Sequence, residues 1–180
     1  MECSFRFVLK IFAMEKKDLV KLLNEIFISL DFKRKGNNWV FNGNHLSKLI
    51  NLQKSNYSNS FYINYGYIIK ELELTMERMH VEDRLAFVDK EKQKRITDLL
   101  DFEINIPSDQ RLTELKTIII DKIVTKMQLI NTEVDLLNEL KKRPHLNDIS
   151  LVVKRYFNLP LPDENESKST PIVIRRYVPE

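Results

Sequence analysis

The sequence predicts an α+β protein in which an antiparallel meander of three to four strands packs against four to five helices. Apolar residues recur at helical spacing near the start of the chain and again beyond residue 91. Between residues 38 and 69 they instead alternate with a period of two, which is typical of strands. Because no helix separates these strands in the chain, they are expected to pair as a meander with one face against the helices.

The first helix is predicted over residues 15–30. The basic run 33–35, followed by Gly36, is typical of a helix end, where cations interact favourably with the helix dipole. The apolar residues of this segment have the spacing of an amphipathic helix; they are Leu19, Leu22, Leu23, Ile26, Phe27 and Leu30.

Turn residues separate the predicted strands. Asn42-Gly43-Asn44 lies between two apolar runs, and an Asn-Gly pair in that setting is a strong hairpin signal. Residues 56–60 are the second turn. The strands are predicted at residues 39–41, 46–54 and 61–69, with 71–74 or 85–88 as candidates for a fourth.

Helical spacing returns in the second half of the chain. Asn131-Thr132 followed by Asp135 is a typical N-terminal cap, and Pro144 ends the helix that it begins. The four helices predicted here cover residues 91–102, a segment that begins at Pro107-Ser108-Asp109, residues 133–142 and residues 148–157.

The predicted organisation is a single domain over residues 15–160, since 180 residues suffice for one ordinary core. Residues 1–14 are expected to be an N-terminal extension. Met14 is a candidate for the true start, because a helix opens directly after it. Residues 161–180 are expected to form a polar C-terminal tail.

Composition excludes several classes of function. The chain has three isolated glycines, so it contains neither a dinucleotide-binding nor a phosphate-cradling glycine motif. Its single cysteine, Cys3, excludes an internal disulfide and a cysteine-based zinc site, and it indicates a reducing, cytoplasmic environment. Charges interrupt every apolar run, so no membrane-spanning segment is predicted. We therefore expect no cofactor, no metal and no membrane association.

A polar face of the predicted sheet is the first candidate site. Asn51, Gln53 and Ser55 alternate outward on one strand, and Asn64 lies on the next, with Lys54 at the strand end. Side-chain amides both donate and accept hydrogen bonds, so this set could bind a polar ligand or a peptide group. The alternative is that these residues only solvate the wet face that a meander has by default.

Gly66 lies inside the last of these strands, on the same face as Asn64. A glycine within a strand has no side chain to pack and often marks a bulge or a close approach. If the face has a pocket, Gly66 is where the sheet is expected to leave room for it.

His80 and Arg84 are the second candidate site. An imidazole beside a guanidinium could act as an acid or base next to an anion clamp. His45 and His145 are remote in the chain, so no histidine-based metal site is predicted. The alternative for Arg84, which we favour from the sequence, is a structural ion pair with a carboxylate.

Nucleic acid is not the expected partner. The aromatic residues between 57 and 67 share one strand face with aliphatic residues, as core side chains do, and the opposite face offers mainly Tyr62. The basic runs 33–35 and 141–143 each close a predicted helix, and the net charge is only +3. The partner is therefore expected to be a protein or a small polar ligand; the oligomeric state is not determined by the sequence.

Four blocks of this sequence, in order and spacing, resemble the bacterial domain family DUF4304 over roughly residues 15–143. The blocks are FKRKGNNW at residues 32–39, INLQKS at 50–55, FYINYG at 61–66 and HVEDRL at 80–85. In the family the last block more often reads His-Ile-Arg-x-Arg-Leu, and the acidic Glu82 and Asp83 here argue against an anion-binding role for it. The family is one of unknown function, and some small bacterial proteins of this general kind act as immunity proteins against secreted toxins.

The sequence thus predicts a protein- or ligand-binding module, with a toxin-immunity role as one form of it. The alternative is a small enzyme that uses His80 and Arg84 beside the sheet face of Asn51, Gln53 and Asn64.

Overall fold

The computed structural model describes residues 14–74 and 78–161. Among these residues the chain divides after Pro144 into two compact units. The predicted extension lies outside the described residues apart from Met14, and the predicted tail lies outside them apart from Leu161. The single domain over 15–160 stays a prediction. Within the described ranges, no helix combines the length and the apolar character that a membrane crossing requires.

The first unit contains one antiparallel sheet with the strand order β1-β2-β3-β4-β5. The α+β class and the meander are confirmed, but the sheet has five strands where three to four were predicted. The strands are β1 (Lys33–Lys35), β2 (Asn38–Asn42), β3 (Leu46–Lys54), β4 (Phe61–Ile69) and β5 (Val81–Arg84).

The two unpredicted features of the sheet are its edge strands. The first helix ends at Ile28 rather than near residue 30, and Asp31 takes a left-handed conformation with φ 63° that turns the chain back. The basic run Lys33–Lys35, predicted as a helix end, is therefore an edge strand, with Gly36 (φ 62°) in the turn to β2. At the other edge, β5 uses residues 81–84 and neither of the two ranges considered for a fourth strand.

Pairing register places one polar residue from each strand in a single row across the sheet. Directly paired residues on neighbouring antiparallel strands project to the same face. The row consists of Lys35, Asn38, Asn51, Asn64 and Arg84. We call this side of the sheet the outer face. The other side, the core face, carries Trp39, Ile50, Leu52, Ile63 and Tyr65.

The helices of the first unit pack against the core face. Trp39 Nε1 donates a hydrogen bond of 2.9 Å to Asn24 Oδ1 on the first helix, and Phe61 contacts Phe102 with ring centroids 4.8 Å apart. These helices are α1 (Lys16–Ile28), α2 (Lys90–Leu100), α3 (Ser108–Ile119), a π-helical segment (Ile120–Val124), α4 (Thr125–Leu129) and α5 (Glu133–Lys141).

The predicted cap of α5 is confirmed. Thr132 Oγ1 accepts a hydrogen bond from Asp135 N, and the Asp135 carboxylate accepts one of 2.9 Å from Thr132 N. This reciprocal pair satisfies two backbone donors that the first turn of a helix leaves free.

The second unit contains α6 (Leu151–Tyr156), which is shorter than the predicted 148–157. Ile149 and Val153 are buried, whereas Val152 is 43% exposed.

A cluster of ion pairs connects β5 to the helical part of the first unit. Asp83 lies on the core face, where its carboxylate accepts hydrogen bonds from Lys126 Nζ at 3.1 Å and from Arg143 at 2.8 Å. Lys126 also pairs with Glu139 on α5 at 3.1 Å. Since side chains alternate along a strand, the next residue, Arg84, projects to the outer face.

We expect the Glu139→Gln variant to be less stable than the parent protein by about 1 kcal/mol near neutral pH. Burial alone would raise the pKa of Glu139, but the hydrogen bonds and charges of Lys126 and Lys142 hold this pKa below its ordinary value. A carboxyl group with a depressed folded pKa stabilises the fold above its unfolded pKa of about 4.3, and that contribution is lost as the pH falls through the folded pKa.

The difference between the two proteins should therefore shrink as urea-unfolding curves are recorded at successively lower pH. Glu71→Gln is the control, because Glu71 is exposed and no ion pair to it is found among the described residues. A difference between parent and Glu139→Gln that stays constant from neutral to acidic pH would contradict this assignment.

Candidate functional site

A chain of side-chain amides crosses the middle of the outer face. Asn51 Nδ2 donates to Asn38 Oδ1 at 2.7 Å, and Asn64 Nδ2 donates to Asn51 Oδ1 at 3.3 Å and to Gln53 Oε1 at 2.9 Å. We call Asn38, Asn51 and Asn64 the amide row. Asn64 is only 1% exposed, because its neighbours cover it. These hydrogen bonds fix the orientation of each amide, so the row is a rigid polar surface.

Arg84 ends the amide row at β5. Its Nε donates to Asn64 Oδ1 at 3.0 Å, and its guanidinium carbon lies 4.4 Å from the centroid of the Tyr62 ring. The side chain is exposed, and within the described part of the chain neither terminal guanidinium nitrogen has a partner. The amide and the ring therefore hold a cation whose two outer nitrogens face solvent.

Among the residues that the structure describes, no carboxylate forms an ion pair with Arg84, so the ion pair favoured for it from the sequence stays a prediction. The carboxylate next to it in the chain, Asp83, lies on the core face and pairs with Lys126 and Arg143. The Asp83 carboxylate therefore forms no ion pair with Arg84. Strand alternation is the reason, since it sends consecutive residues to opposite faces.

A second arginine reaches the amide row from the connection between β4 and β5. Arg78 donates to Asn51 Oδ1 at 2.6 Å and pairs with Glu82 at 3.0 Å. Glu82 is paired in the sheet with Gly66, so it also lies on the outer face. Its charge is shared with Arg78 and is not directed at Arg84.

The room that Gly66 leaves is occupied by the chain itself. A Cβ at this position would overlap the carbonyl oxygen of Val81 and would lie 3.0 Å from Met79 Sδ. Gly66 therefore lets β5 approach β4 closely, and the space above it is not an open pocket. A direct role for Gly66 in binding stays a prediction.

His80 does not lie beside Arg84. Its Nδ1 accepts a hydrogen bond of 3.0 Å from Ile69 N, its Nε2 lies 3.3 Å from Glu73 O, and it is 4% exposed. Ile69 is five residues along β4 from Asn64, the partner of Arg84, which is about 17 Å in a strand. His80 and Arg84 therefore do not form the acid-base pair on which the enzyme alternative depended. The hydrogen bonds of His80 instead connect the loop after β4 to the end of that strand.

Of the remaining predicted site residues, one contacts the amide row and two lie away from it. Gln53 joins the amide row through Asn64. Lys54 pairs with Phe61, so it projects to the side opposite Asn51. Ser55 lies in the following turn, where its Oγ accepts a hydrogen bond of 3.2 Å from Tyr57 N. Binding roles for these residues stay predictions.

Sequence reasoning missed Lys35, Asn38, Tyr62 and Arg78 as members of the site. Asn38 lies opposite Asn51 because Asn42 pairs with Ser47, so the hairpin loop covers residues 43–46. A two-residue Asn42-Gly43 turn would instead place Asn38 opposite Ser47, so the turn signal alone did not identify Asn38. The connection that carries Arg78 has no periodicity, so no local signal placed it over the sheet.

Positive charge predominates on the outer face. Lys33 and Lys35 project there from β1, and Arg78 and Arg84 lie at the other end, whereas Glu82 is the one acidic side chain among the described strand residues of this face. A surface with this charge attracts anionic groups and repels cationic ones. Metal binding is a different matter, since no group of three or more His, Cys, Asp or Glu side chains clusters among the described residues.

Comparison with known proteins gives a match to a family model. A family model described as "Domain of unknown function (DUF4304)" matches residues 23–129, which is more than half of the chain. The match includes all five strands and hence the whole outer face. Neither the curated proteins nor the solved structures contain a match to the chain.

Proposed function

The chain belongs to the DUF4304 family, and from that premise we propose that it is a binding module whose outer sheet face holds an acidic segment of a protein partner. The observation that carries the proposal is the row of one polar side chain from each of five strands, with a cation at each end.

Arg84 supplies the strongest contact of this proposal. A guanidinium can bind a carboxylate through two parallel hydrogen bonds. Binding usually costs the conformational freedom of a long side chain, but here Asn64 and Tyr62 already hold the arginine in place. The carboxylate of an Asp or Glu side chain is the matching group.

The shape of the row supports a protein partner over a small ligand. Neighbouring strands lie about 4.8 Å apart, so the five side chains from Lys35 to Arg84 extend in a line of about 19 Å. Side chains in a line suit an extended peptide segment, whereas a small molecule needs groups that converge around one point. A toxin-immunity role would be one form of this binding, with the toxin as the acidic partner.

We expect the Arg84→Met variant to bind acidic peptide about tenfold more weakly than the parent protein, because one charge-assisted contact is lost. Methionine keeps an apolar stem against Tyr62 and removes only the cation. The probe is a fluorescein-labelled hexaglutamate peptide, and binding is measured by fluorescence anisotropy at low and high ionic strength. Affinity of the parent protein should fall with added salt.

Lys94→Met is the matched control, since it removes one exposed cation from α2, outside the outer face. A hexaglutamine peptide with the same label controls for backbone binding. Failure of the parent protein to prefer hexaglutamate, or equal losses in Arg84→Met and Lys94→Met, would refute the proposal.

A further inference from the structure

A cavity of about 190 Å³ lies between the end of α1, strands β2 and β3, and α4. Its apolar wall includes three phenylalanine rings, with centroids 5.4 Å apart for Phe27 and Phe32 and 5.7 Å apart for Phe32 and Phe41. Val124 and Met127 line the helical side. The cavity lies on the core face and is separate from the amide row.

Lys48 places a buried ammonium group at the wall of this cavity. The residue is only 6% exposed, and its Nζ donates to Met127 O at 2.5 Å and to Asn131 Oδ1 at 2.8 Å. An ammonium has three N–H donors. Among the described residues the third donor has no partner, and no carboxylate contacts the ammonium.

The nearest acidic influence on Lys48 comes from Asp135, which acts on it without contact. The Asp135 carboxylate already accepts backbone hydrogen bonds from Asn131 and Thr132, at 3.1 and 2.9 Å. Burial lowers the pKa of Lys48, since the charged form is poorly solvated there. The Lys48 Nζ also lies 5.4 Å from the centroid of the Phe41 ring. The cavity thus contains a cation that contacts a ring face but, among the described residues, no carboxylate.

The helical wall of the cavity is irregular at the same place. Val124 is the last residue of the π-helical segment Ile120–Val124, and Thr125 Oγ1 donates to Ile120 O at 3.1 Å. π-Helical turns are rare in proteins, and those that occur often lie at functional sites. Just after this turn, the Met127 carbonyl and the Asn131 side chain orient the Lys48 ammonium.

We propose that this cavity binds a small monocarboxylate with an apolar tail. The carboxylate accepts a hydrogen bond from Lys48 Nζ, and the tail lies among Phe27, Phe32 and Phe41. A cavity of roughly 150 Å³ accommodates benzene, so this one has room for a six-membered ring with a carboxylate. A single cation at the wall selects a monoanion over a dianion.

The test compares phenylacetate with its neutral analogue 2-phenylethanol by isothermal titration of the full chain. Phenylacetate should bind the parent protein and should bind Lys48→Met at least about tenfold more weakly, as expected for a lost charge-assisted hydrogen bond. 2-Phenylethanol should bind both proteins alike. Methionine keeps the length and apolar stem of the lysine, and Lys94→Met is again the charge-matched control.

Two further measurements decide the matter if Lys48→Met fails to fold. Val124→Phe keeps the lysine but fills the cavity, so it should abolish binding of both compounds. In the unaltered protein, phenylacetate should shift the NMR signals of the Lys48 ε-methylene more than those of any other lysine.

Equal affinity of phenylacetate for the parent protein and Lys48→Met would overturn the proposal. Undiminished binding to Val124→Phe, no binding to the parent protein, or no shift at Lys48 would do the same and would show that Lys48 only caps the end of α4. None of these results bears on the outer face, so the two proposals fail separately.

Discussion

The Gly66→Ala variant is expected to lose about 3 kcal/mol or more of its free energy of unfolding. The added methyl group would overlap the carbonyl oxygen of Val81 in the neighbouring strand. A backbone atom cannot turn aside as a side chain can, so β5 would have to move away from β4. Typical domains have only about 5–15 kcal/mol of stability in total, so this loss is a large fraction.

Binding should suffer together with stability in this variant. Arg84 lies on β5, opposite Asn64 of β4, so separating the strands also removes the guanidinium from the amide row. We therefore expect Gly66→Ala to lose hydrogen-exchange protection at β5 and to lose affinity for acidic peptide.

Gly36→Ala is the control for a change that introduces strain without overlap. Gly36 has φ +62°, but no atom lies within 4 Å of the position that its Cβ would take. The expected cost of this substitution is about 1 kcal/mol. Urea unfolding of both variants decides the matter, and a Gly66→Ala loss no larger than that of Gly36→Ala would show that β5 tolerates the methyl group.

The Arg111→Met variant is expected to be destabilised by about 3 to 5 kcal/mol. Arg111 is 1% exposed, and its guanidinium donates to four backbone carbonyls at and beyond the end of α2. Methionine has no donor, so these buried carbonyls would lose their partner. The carbonyls belong to Asp98 (2.9 Å), Leu99 (2.6 Å), Asp101 (2.9 Å) and Ile104 (2.6 Å).

Arg95→Met is the control for Arg111→Met. Arg95 makes two hydrogen bonds to the Glu114 carboxylate, at 2.8 and 2.6 Å, but this pair lies at the surface with 39% of the arginine side chain exposed. Exposed ion pairs contribute about 1 kcal/mol or less. If denaturant unfolding gave similar losses for both variants, the four carbonyl contacts would contribute no more than a surface ion pair.

The difference between these two arginines is not visible in the sequence. In α3 the apolar residue Leu112 is only half-buried, whereas the charged residue Arg111 next to it lies fully buried. A prediction from the spacing of apolar residues places every charged residue, including Arg111, on the solvent side of the helix. Burial of Arg111 depends on the free carbonyls that α2 presents to it.

Local patterns were sufficient for the parts of the fold that depend on alternation and on caps. The period of two in β3 and β4 correctly separated Asn51, Gln53 and Asn64 from the core residues. The Thr132 cap was confirmed, as was the Asn-Gly hairpin turn, in which Gly43 N donates to Leu46 O at 3.0 Å. Each of these features involves residues within a few positions of one another.

The outcome differs for residues whose role depends on a remote neighbour. The basic run Lys33–Lys35 is typical of a helix end, and only pairing with β2 makes it a strand. The sequence favours an ion pair for Arg84, and the partners that the structure gives it are Asn64 and Tyr62 on the adjacent strand. His80 accepts a hydrogen bond from the backbone N–H of Ile69, and this contact holds it away from Arg84.

The sequence by itself thus determined the α+β class, the two faces of the central strands and the amides that share the outer face, because side-chain direction along a strand is a local property. The tertiary structure decided where the charges lie. In the sequence, Lys48 is one polar residue in a strand, but in the structure its ammonium donates a hydrogen bond to the Met127 carbonyl, 79 positions away. Folding alone sets such contacts, since the energy of a charge depends on the groups packed around it and not on its neighbours in the chain.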